Sequence, residues 1–182
     1  MFNKFEFIGG ALSIASMALA LYLIQASDFL GAVGENAQSA QVVSANDAIV
    51  VVPQGENVNQ LRANAYIAAA DSNGNIKRMV IDDIKIGTGA EVKTGDVVSV
   101  HYVGKLQNGQ EFDASKKRGA PFEFTVGEGR VIQGWEEGVV GMKVGGERVL
   151  VIPPEKGYGE AGIGPIPGNA TLVFSIELLE IK

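Results

Sequence analysis

From about residue 79 to the C-terminus, apolar residues recur in short runs of alternating character. Residues 80–86 read as a strand, and residues 96–106 as another with Val98, Val100 and Tyr102 on one face. Residues 122–126 alternate apolar and polar, and residues 147–153 and 171–181 add further strands. In the last of these Leu172, Phe174, Ile176 and Leu178 share a face. Gln107-Asn108-Gly109-Gln110 carries the Asn-Gly signal of a tight hairpin. One stretch breaks the period of two: Ile132, Trp135 and Val139 fall on one side of a short helix. Gly134 before the indole and Gly138 after it suit a helix lying close against other backbone. The pattern predicts an α+β fold of roughly 100 residues, an antiparallel sheet curled over one short α-helix.

The N-terminal part is patterned differently. Residues 7–27, a run of 21, carry no charge, which is close to the ~20 needed to span a bilayer as a helix. A buried soluble helix fits poorly, since it would be apolar all round beside a polar tail. Two readings remain, an uncleaved transmembrane anchor or a cleaved signal peptide. The run exceeds a usual signal core of about 7–15 residues, and the small-residue sites at 32–34 and 37–39 lie late, so the anchor is preferred. Lys4 is the only basic residue before Arg62, and the positive-inside rule places it in the cytoplasm. Either reading sends residues 30–182 across the membrane. The product is a single-pass protein with an extracytoplasmic C-terminal domain or, after cleavage, a periplasmic or secreted one.

Residues 28–47 are small and polar and read as a flexible stalk. Residues 48–52 form a short strand ended by Pro53, and residues 56–70 a helix with a weak apolar face of Leu61, Ala65, Ala68 and Ala69. Asp71-Ser-Asn-Gly-Asn75 stops it. A spacer and a docking arm both fit this segment. The expected organisation is thus a membrane anchor or signal at 1–28, a stalk or linker with a short helix at 29–78, and a folded domain at 79–182.

Charge and composition narrow the chemistry. A net charge of −6 with no basic cluster argues against nucleic-acid binding. Without cysteine there are no disulfides, thiol nucleophiles or zinc-thiolate sites. With His101 as the only histidine, a multi-histidine metal site and a Cys/His dyad cannot be built, and His101 itself reads as structural. The glycines at 87/89 and 127/129 complete no phosphate-binding motif and read as turns. Asp82–Asp83 and Glu136–Glu137 are adjacent pairs whose side chains diverge, so solvated faces are expected for both. What remains is an aromatic set: Tyr102, Phe112, Phe122, Phe124, Trp135, Tyr158 and Phe174. It makes either a core or a pocket. Asp113, directly after Phe112, must be paired if it lies among those rings, and Arg118 is a candidate partner.

The run His101-Tyr-Val-Gly-Lys-Leu-Gln-Asn-Gly-Gln-Glu-Phe-Asp113 resembles the FKBP family of peptidyl-prolyl isomerases. So do Pro121-Phe-Glu-Phe124, Val131-Ile-Gln-Gly-Trp-Glu-Glu-Gly138, Gly157-Tyr-Gly159 and Ala170-Thr-Leu-Val-Phe174. Five motifs in order cover residues 79–182, and the first 78 residues have no counterpart in the minimal family domain. The resemblance implies a curved antiparallel sheet wrapped on one short helix and a proline pocket with Trp135 as its floor. It makes Tyr102, Phe124, Val131, Ile132 and Phe174 the walls, with Phe112 and Phe122 at the rim. By the same comparison the Ile132 N–H and the Tyr158 hydroxyl bind substrate carbonyls, and Asp113 sits at the pocket edge, positioned by Tyr102 and Arg118. The loop 160–169 is slightly shorter than in the best-known eukaryotic members, and Ile163 and Ile166 would form its apolar lip. The loop is too short for an inserted chaperone domain.

The resemblance also implies the activity, cis/trans isomerisation of Xaa-Pro bonds in proline-containing polypeptides. It needs no metal or cofactor and is blocked by macrolide inhibitors of the family. Displayed outside the cytoplasmic membrane, such a domain would act during folding of extracytoplasmic proteins. The rival reading is a non-catalytic proline-peptide binding or chaperone module tethered at the membrane. A third, purely structural reading requires the chain to fill its own pocket, and residues 48–78 are the candidate filler.

Overall fold

A computed structural model describes residues 49–52 and 58–182. The uncharged run at 7–27, Lys4 and the stalk at 28–47 lie outside them, as does the side chain of Leu61. Among the described residues no helix is long and apolar enough to cross a membrane.

Among the described residues seven strands form one sheet: β1 (Ile49–Val51), β2 (Met79–Lys85), β3 (Val97–Leu106), β4 (Glu111–Ala114), β5 (Phe122–Thr125), β6 (Glu147–Ile152) and β7 (Leu172–Ile181). Helix α1 (Val58–Ala69) lies between β1 and β2, and the six-residue α2 (Gln133–Gly138) between β5 and β6. The strand order is β1-β2-β6-β7-β3-β4, with β5 also paired to β3. The long antiparallel pair of β3 with β7 holds the middle, from Val98↔Ile181 to Leu106↔Leu172. The expected hairpin closes β3 onto β4. Gly109 takes φ 86°, and the Gln110 N–H donates to Asn108 Oδ1 at 2.9 Å.

The sheet is mixed, which the alternation of residues 79–182 did not predict. β1 runs parallel to β2, in register Val50↔Val80. Parallel neighbours need a crossover, usually a helix, and α1 supplies it. The segment left open between spacer and docking arm is therefore a β1–α1–β2 unit on the sheet edge. Asp71 ends the helical segment as expected, with Oδ1 accepting the N–H groups of Asn73 and Asn75 at 2.9 Å each.

Period-two alternation divides the side chains between two cores. Val50, Val80 and Val151 face α1 and bury Ala65, Ala69 and Ile76, with Val149 and Val173 beside them. The intervening residues Met79, Ile81, Leu150, Ile152, Leu172 and Phe174 face the other way, toward α2 and Trp135. The third reading thereby loses its filler, since α1 and β1 pack largely on the face opposite the aromatic set.

Gly134 and Gly138 let α2 sit low on the sheet, though it is side chains they approach, not backbone. A Cβ at Gly134 would come within 2.6 Å of Ile152 Cγ2, and one at Gly138 within 2.5 Å of Leu150 Cδ1. Of the two acidic pairs only Asp82 is buried, the other three carboxylates are half-buried, and all four are partnered. Asp82 is 3% exposed and accepts from Arg62 Nε of α1 at 2.7 Å. Asp83 is paired with the buried Arg148, whose Nη1 also donates to the Gly138 carbonyl at 2.8 Å. Glu136 accepts from the Gly127 N–H, and Glu137 from Lys156 Nζ. The partners come from distant parts of the chain, so local spacing gave no sign of them.

Candidate functional site

The aromatic set forms both a core and a pocket. Trp135 is held at 4% exposure by edge-to-face contacts, with ring centroids 5.0 Å from Tyr102 and 5.2 Å from Phe174. Edge-to-face pairs suit the opposite charges of ring face and ring edge. Phe122 completes this side at 6.0 Å from both Tyr102 and Trp135. Phe112 meets Phe174 edge-on at 5.6 Å. Gly104 on β3 makes that meeting possible, because a Cβ there would lie 2.7 Å from Phe112 Cζ and 2.8 Å from Phe174 Cε1.

Rings set at right angles leave space between them. A cavity of about 340 Å³ opens among Tyr102, Phe112, Phe122, Trp135 and Phe174, with Val131, Ile132, Tyr158, Asp113 and Arg130 completing the wall.

Asp113 is tied at the cavity edge. Tyr102 Oη donates to Asp113 Oδ2 and Arg118 Nη1 to Asp113 Oδ1, each at 2.5 Å, while Arg118 Nη2 donates to Tyr102 Oη at 2.5 Å. The guanidinium carbon also lies 5.3 Å from the Tyr102 ring centroid, a cation–π contact. Burial acts to raise the Asp113 carboxyl, but the hydrogen bonds from Arg118 and Tyr102 outweigh it and hold the group below the ordinary carboxylate range. Burial, helped by the Asp113 hydrogen bond, pushes the Tyr102 hydroxyl up. Burial and the Asp113 charge do the same to Tyr158. At neutral pH the edge thus holds a compensated carboxylate and two protonated phenols.

On the other side of Tyr102, Ser115 is fully buried and its Oγ accepts the Tyr102 N–H at 2.9 Å. His101 Nδ1 lies 3.0 Å from the same Oγ, so the only histidine serves the backbone behind the site.

Of the residues selected from sequence, Tyr102, Phe112, Asp113, Phe122, Val131, Ile132, Trp135, Tyr158 and Phe174 line the cavity. Phe124 and Arg118 stand behind this wall. Phe124 stacks on Phe122 at 5.7 Å and touches Trp135, while Arg118 reaches the site through Asp113 and Tyr102. Ile163 and Ile166 do not line the cavity. Reciprocal backbone hydrogen bonds of 2.9 Å close the loop on itself. Ile166 goes into the core and Ile163 is left 57% exposed. Two positions escaped the sequence reading. Arg130 lines the cavity, and its place directly before Val131 was the available signal. Gly104 was signalled only as a glycine inside a strand.

Comparison with known proteins agrees with this geometry. The model of the FKBP-type peptidyl-prolyl cis-trans isomerase family matches residues 89–179. FK506-binding protein 4 of Chaetomium thermophilum is 59% identical over 107 residues, which are 59% of this chain and 22% of that protein. The chain therefore spans less than a quarter of that relative's length. FK506-binding protein 2 of Dictyostelium discoideum is 53% identical over 93 residues, covering 50% of this chain and 70% of that one. Among solved structures, FkpA from Escherichia coli superposes with a TM-score of 0.54 at 47% identity, covering 58% of this chain and 48% of that one. AtFKBP13 superposes at 0.55 and 37% identity, covering 63% and 98%. On the matched residues and the aromatic site they build, the chain belongs to the FKBP-type peptidyl-prolyl cis-trans isomerase family, a family of isomerases.

Proposed function

We propose that this protein accelerates rotation about Xaa-Pro bonds in extracytoplasmic polypeptides and that residues 1–28 hold it at the membrane, with residues 79–182 as the isomerase unit. The observation that carries the activity is the cavity walled by aromatic rings over Trp135. The barrier to rotation, ~18–20 kcal/mol, comes from amide resonance and needs no nucleophile or proton transfer to cross. Twisting the C–N bond breaks the resonance and leaves less charge on the carbonyl oxygen. A dry aromatic surround favours that less polar amide over the planar one and fixes the proline ring while the preceding residue turns. Lowering the barrier by about 5–8 kcal/mol corresponds to roughly 10⁴–10⁶-fold acceleration.

Trp135 is the floor in this reading, with Tyr102, Val131, Ile132 and Phe174 as walls and Phe112 and Phe122 as rim. Phe124 positions Phe122 and Trp135 from behind. Ile132 is the N-cap of α2, a position whose N–H has no acceptor within the helix. It donates to one substrate carbonyl, and the Tyr158 hydroxyl donates to another. Asp113, neutralised by Arg118, keeps the edge polar without a free charge.

The membrane role rests on the uncharged run at 7–27 and on Lys4 before it. Slow prolyl isomerisation limits folding on either side of a membrane.

The test of activity is a proline tetrapeptide assay. The protein speeds isomerisation, a macrolide of the FK506 type abolishes the effect, and Trp135→Ala with Phe124→Ala removes it. Full activity in that double variant would sink the pocket assignment, and binding of the peptide without any rate enhancement would favour the non-catalytic module. Membrane fractionation with an intact mass tests the anchor, and a mature chain beginning near Glu35 overturns it.

A further inference from the structure

We propose that Arg130 sets the substrate preference of this site, selecting peptides that carry a carboxylate beside the proline. This deepens the isomerase reading and rests on it.

Two charged residues line the cavity, Asp113 and Arg130. They are not equivalent. Asp113 accepts from Arg118 and from Tyr102, so its charge is compensated at the wall. Among the described residues Arg130 makes one ionic contact, from Nε to Glu128 Oε2 at 2.8 Å. Both side chains of that pair are open to water, at 75% and 46% exposure. An exposed pair of this kind contributes about 0–1 kcal/mol and holds neither partner firmly. A guanidinium has five N–H donors in a planar fork, and the Nε contact uses one of them. The terminal nitrogens remain able to take a carboxylate in the two-pronged geometry that arginine favours.

The turn ahead of Arg130 is anchored at Val126 and Gly127. Gly127 and Gly129 turn the chain with φ of 92° and 69°. The Gly127 N–H donates to Glu136 Oε2 of α2, and the Val126 N–H to the Asp96 carbonyl at 2.9 Å. Immediately after Arg130 the chain supplies Val131 and Ile132 to the cavity wall. The cation therefore stands next to the segment on which a bound peptide would lie. Its charge meets the peptide at the mouth, in water, and the attraction is modest and sensitive to salt.

The test uses the full chain and three tetrapeptide series differing in one residue, with Glu, Gln or Lys placed next to the proline, and a Leu-Pro peptide as reference. The reading is the ratio of kcat/KM for Glu over Lys, which cancels any general loss of folded enzyme. At low ionic strength the ratio is expected to be about fivefold, the order set by one or two weakly screened charge contacts. It shrinks in high salt. It falls to about one in Arg130→Gln, survives in Arg130→Lys and rises in Glu128→Gln, which frees the guanidinium. A ratio near one in the unsubstituted protein, with the Leu-Pro peptide turned over normally, overturns the Arg130 assignment and leaves the isomerase reading standing. A ratio that persists in Arg130→Gln overturns it too. No turnover of any peptide, Leu-Pro included, sinks the isomerase reading and this one with it. Should Arg130→Gln fail to fold, Arg130→Met is read in its place, and a ratio that persists there is the overturning result.

Discussion

The two faces of the sheet are built by neighbouring residues of the same strands, yet one is closed and the other is open. On the α1 face the side chains are small: Val50, Val80 and Val151 against Ala65 and Ala69. Small residues let a helix approach closely, and the contact fills. On the opposite face Tyr102, Phe122 and Phe174 meet Trp135 edge-on, Phe112 meets Phe174 in the same way, and their bulk props the wall apart around about 340 Å³. Arginine–carboxylate pairs show the same contrast between closed and open. Arg62–Asp82 is structural, with an aspartate sealed under α1. Arg118–Asp113 stands half open at the cavity edge and acts on the site. Arg148–Asp83, beside α2, is likewise buried and structural, so exposure and not the face decides whether such a pair serves stability or the site's electrostatics.

The comparison is broken most severely by Trp135→Ala. It removes the shared support of four rings, and a loss of about 3–5 kcal/mol is expected from chemical denaturation. The folded fraction should also lose at least about 100-fold in kcat/KM, equivalent to ~2.7 kcal/mol of barrier. Arg62→Ala separates stability from activity. It strands Asp82, and about 2–3 kcal/mol should be lost, less than the ~3–5 for a fully buried pair because Arg62 keeps some water. Isomerase activity of the folded protein should stay normal, and a parallel fall in kcat/KM would show that the two faces are coupled. Asp113→Asn sharpens the contrast from the other side, with about a tenfold fall in kcat/KM, ~1.4 kcal/mol, and little change in melting temperature.

The smallest effect is on acid stability. The folded Asp113 carboxyl lies below its ordinary value. Its contribution is therefore complete above the unfolded pKa of about 3.9 and is lost as pH falls through the lowered folded value. Melting temperatures of the protein and of Asp113→Asn should converge as pH drops from 5 toward 2, and curves that stay parallel would show that the contacts of Asp113 with Tyr102 and Arg118 add nothing to stability. Tyr102 behaves in the opposite sense. Its raised folded pKa makes its contribution complete below about 10 and lost as pH rises through the folded value.

Much of this was legible in the chain. Period-two alternation located β3, β5 and β7, short apolar β runs located β2 and β6, and Asn108-Gly109 located the hairpin, because side-chain direction and turn conformation are local properties. β4 is only four residues long and gave no pattern of its own. The motif spacing brought nine of the selected residues to one cavity. The misses were nonlocal. Asp82, Asp83, Glu136 and Glu137 looked like solvated neighbours, and each found a partner elsewhere in the fold. Ile163 and Ile166 looked alike, and a backbone turn separated a core residue from an exposed one.

The sequence alone determined which residues alternate, where the chain turns, which chemistries lack their reagents, and that an aromatic set exists at the family's spacing. Whether those rings close into solid core or stand apart around a cavity was decided only in three dimensions. The angle at which two rings meet depends on strands paired across the sheet, on Gly104 leaving room for Phe112 against Phe174, and on α2 lowering Trp135 among them. The placement of α1 and β1 was decided in the same way, because parallel pairing with β2 is set by what the helix can bury and not by any pattern within the strand itself.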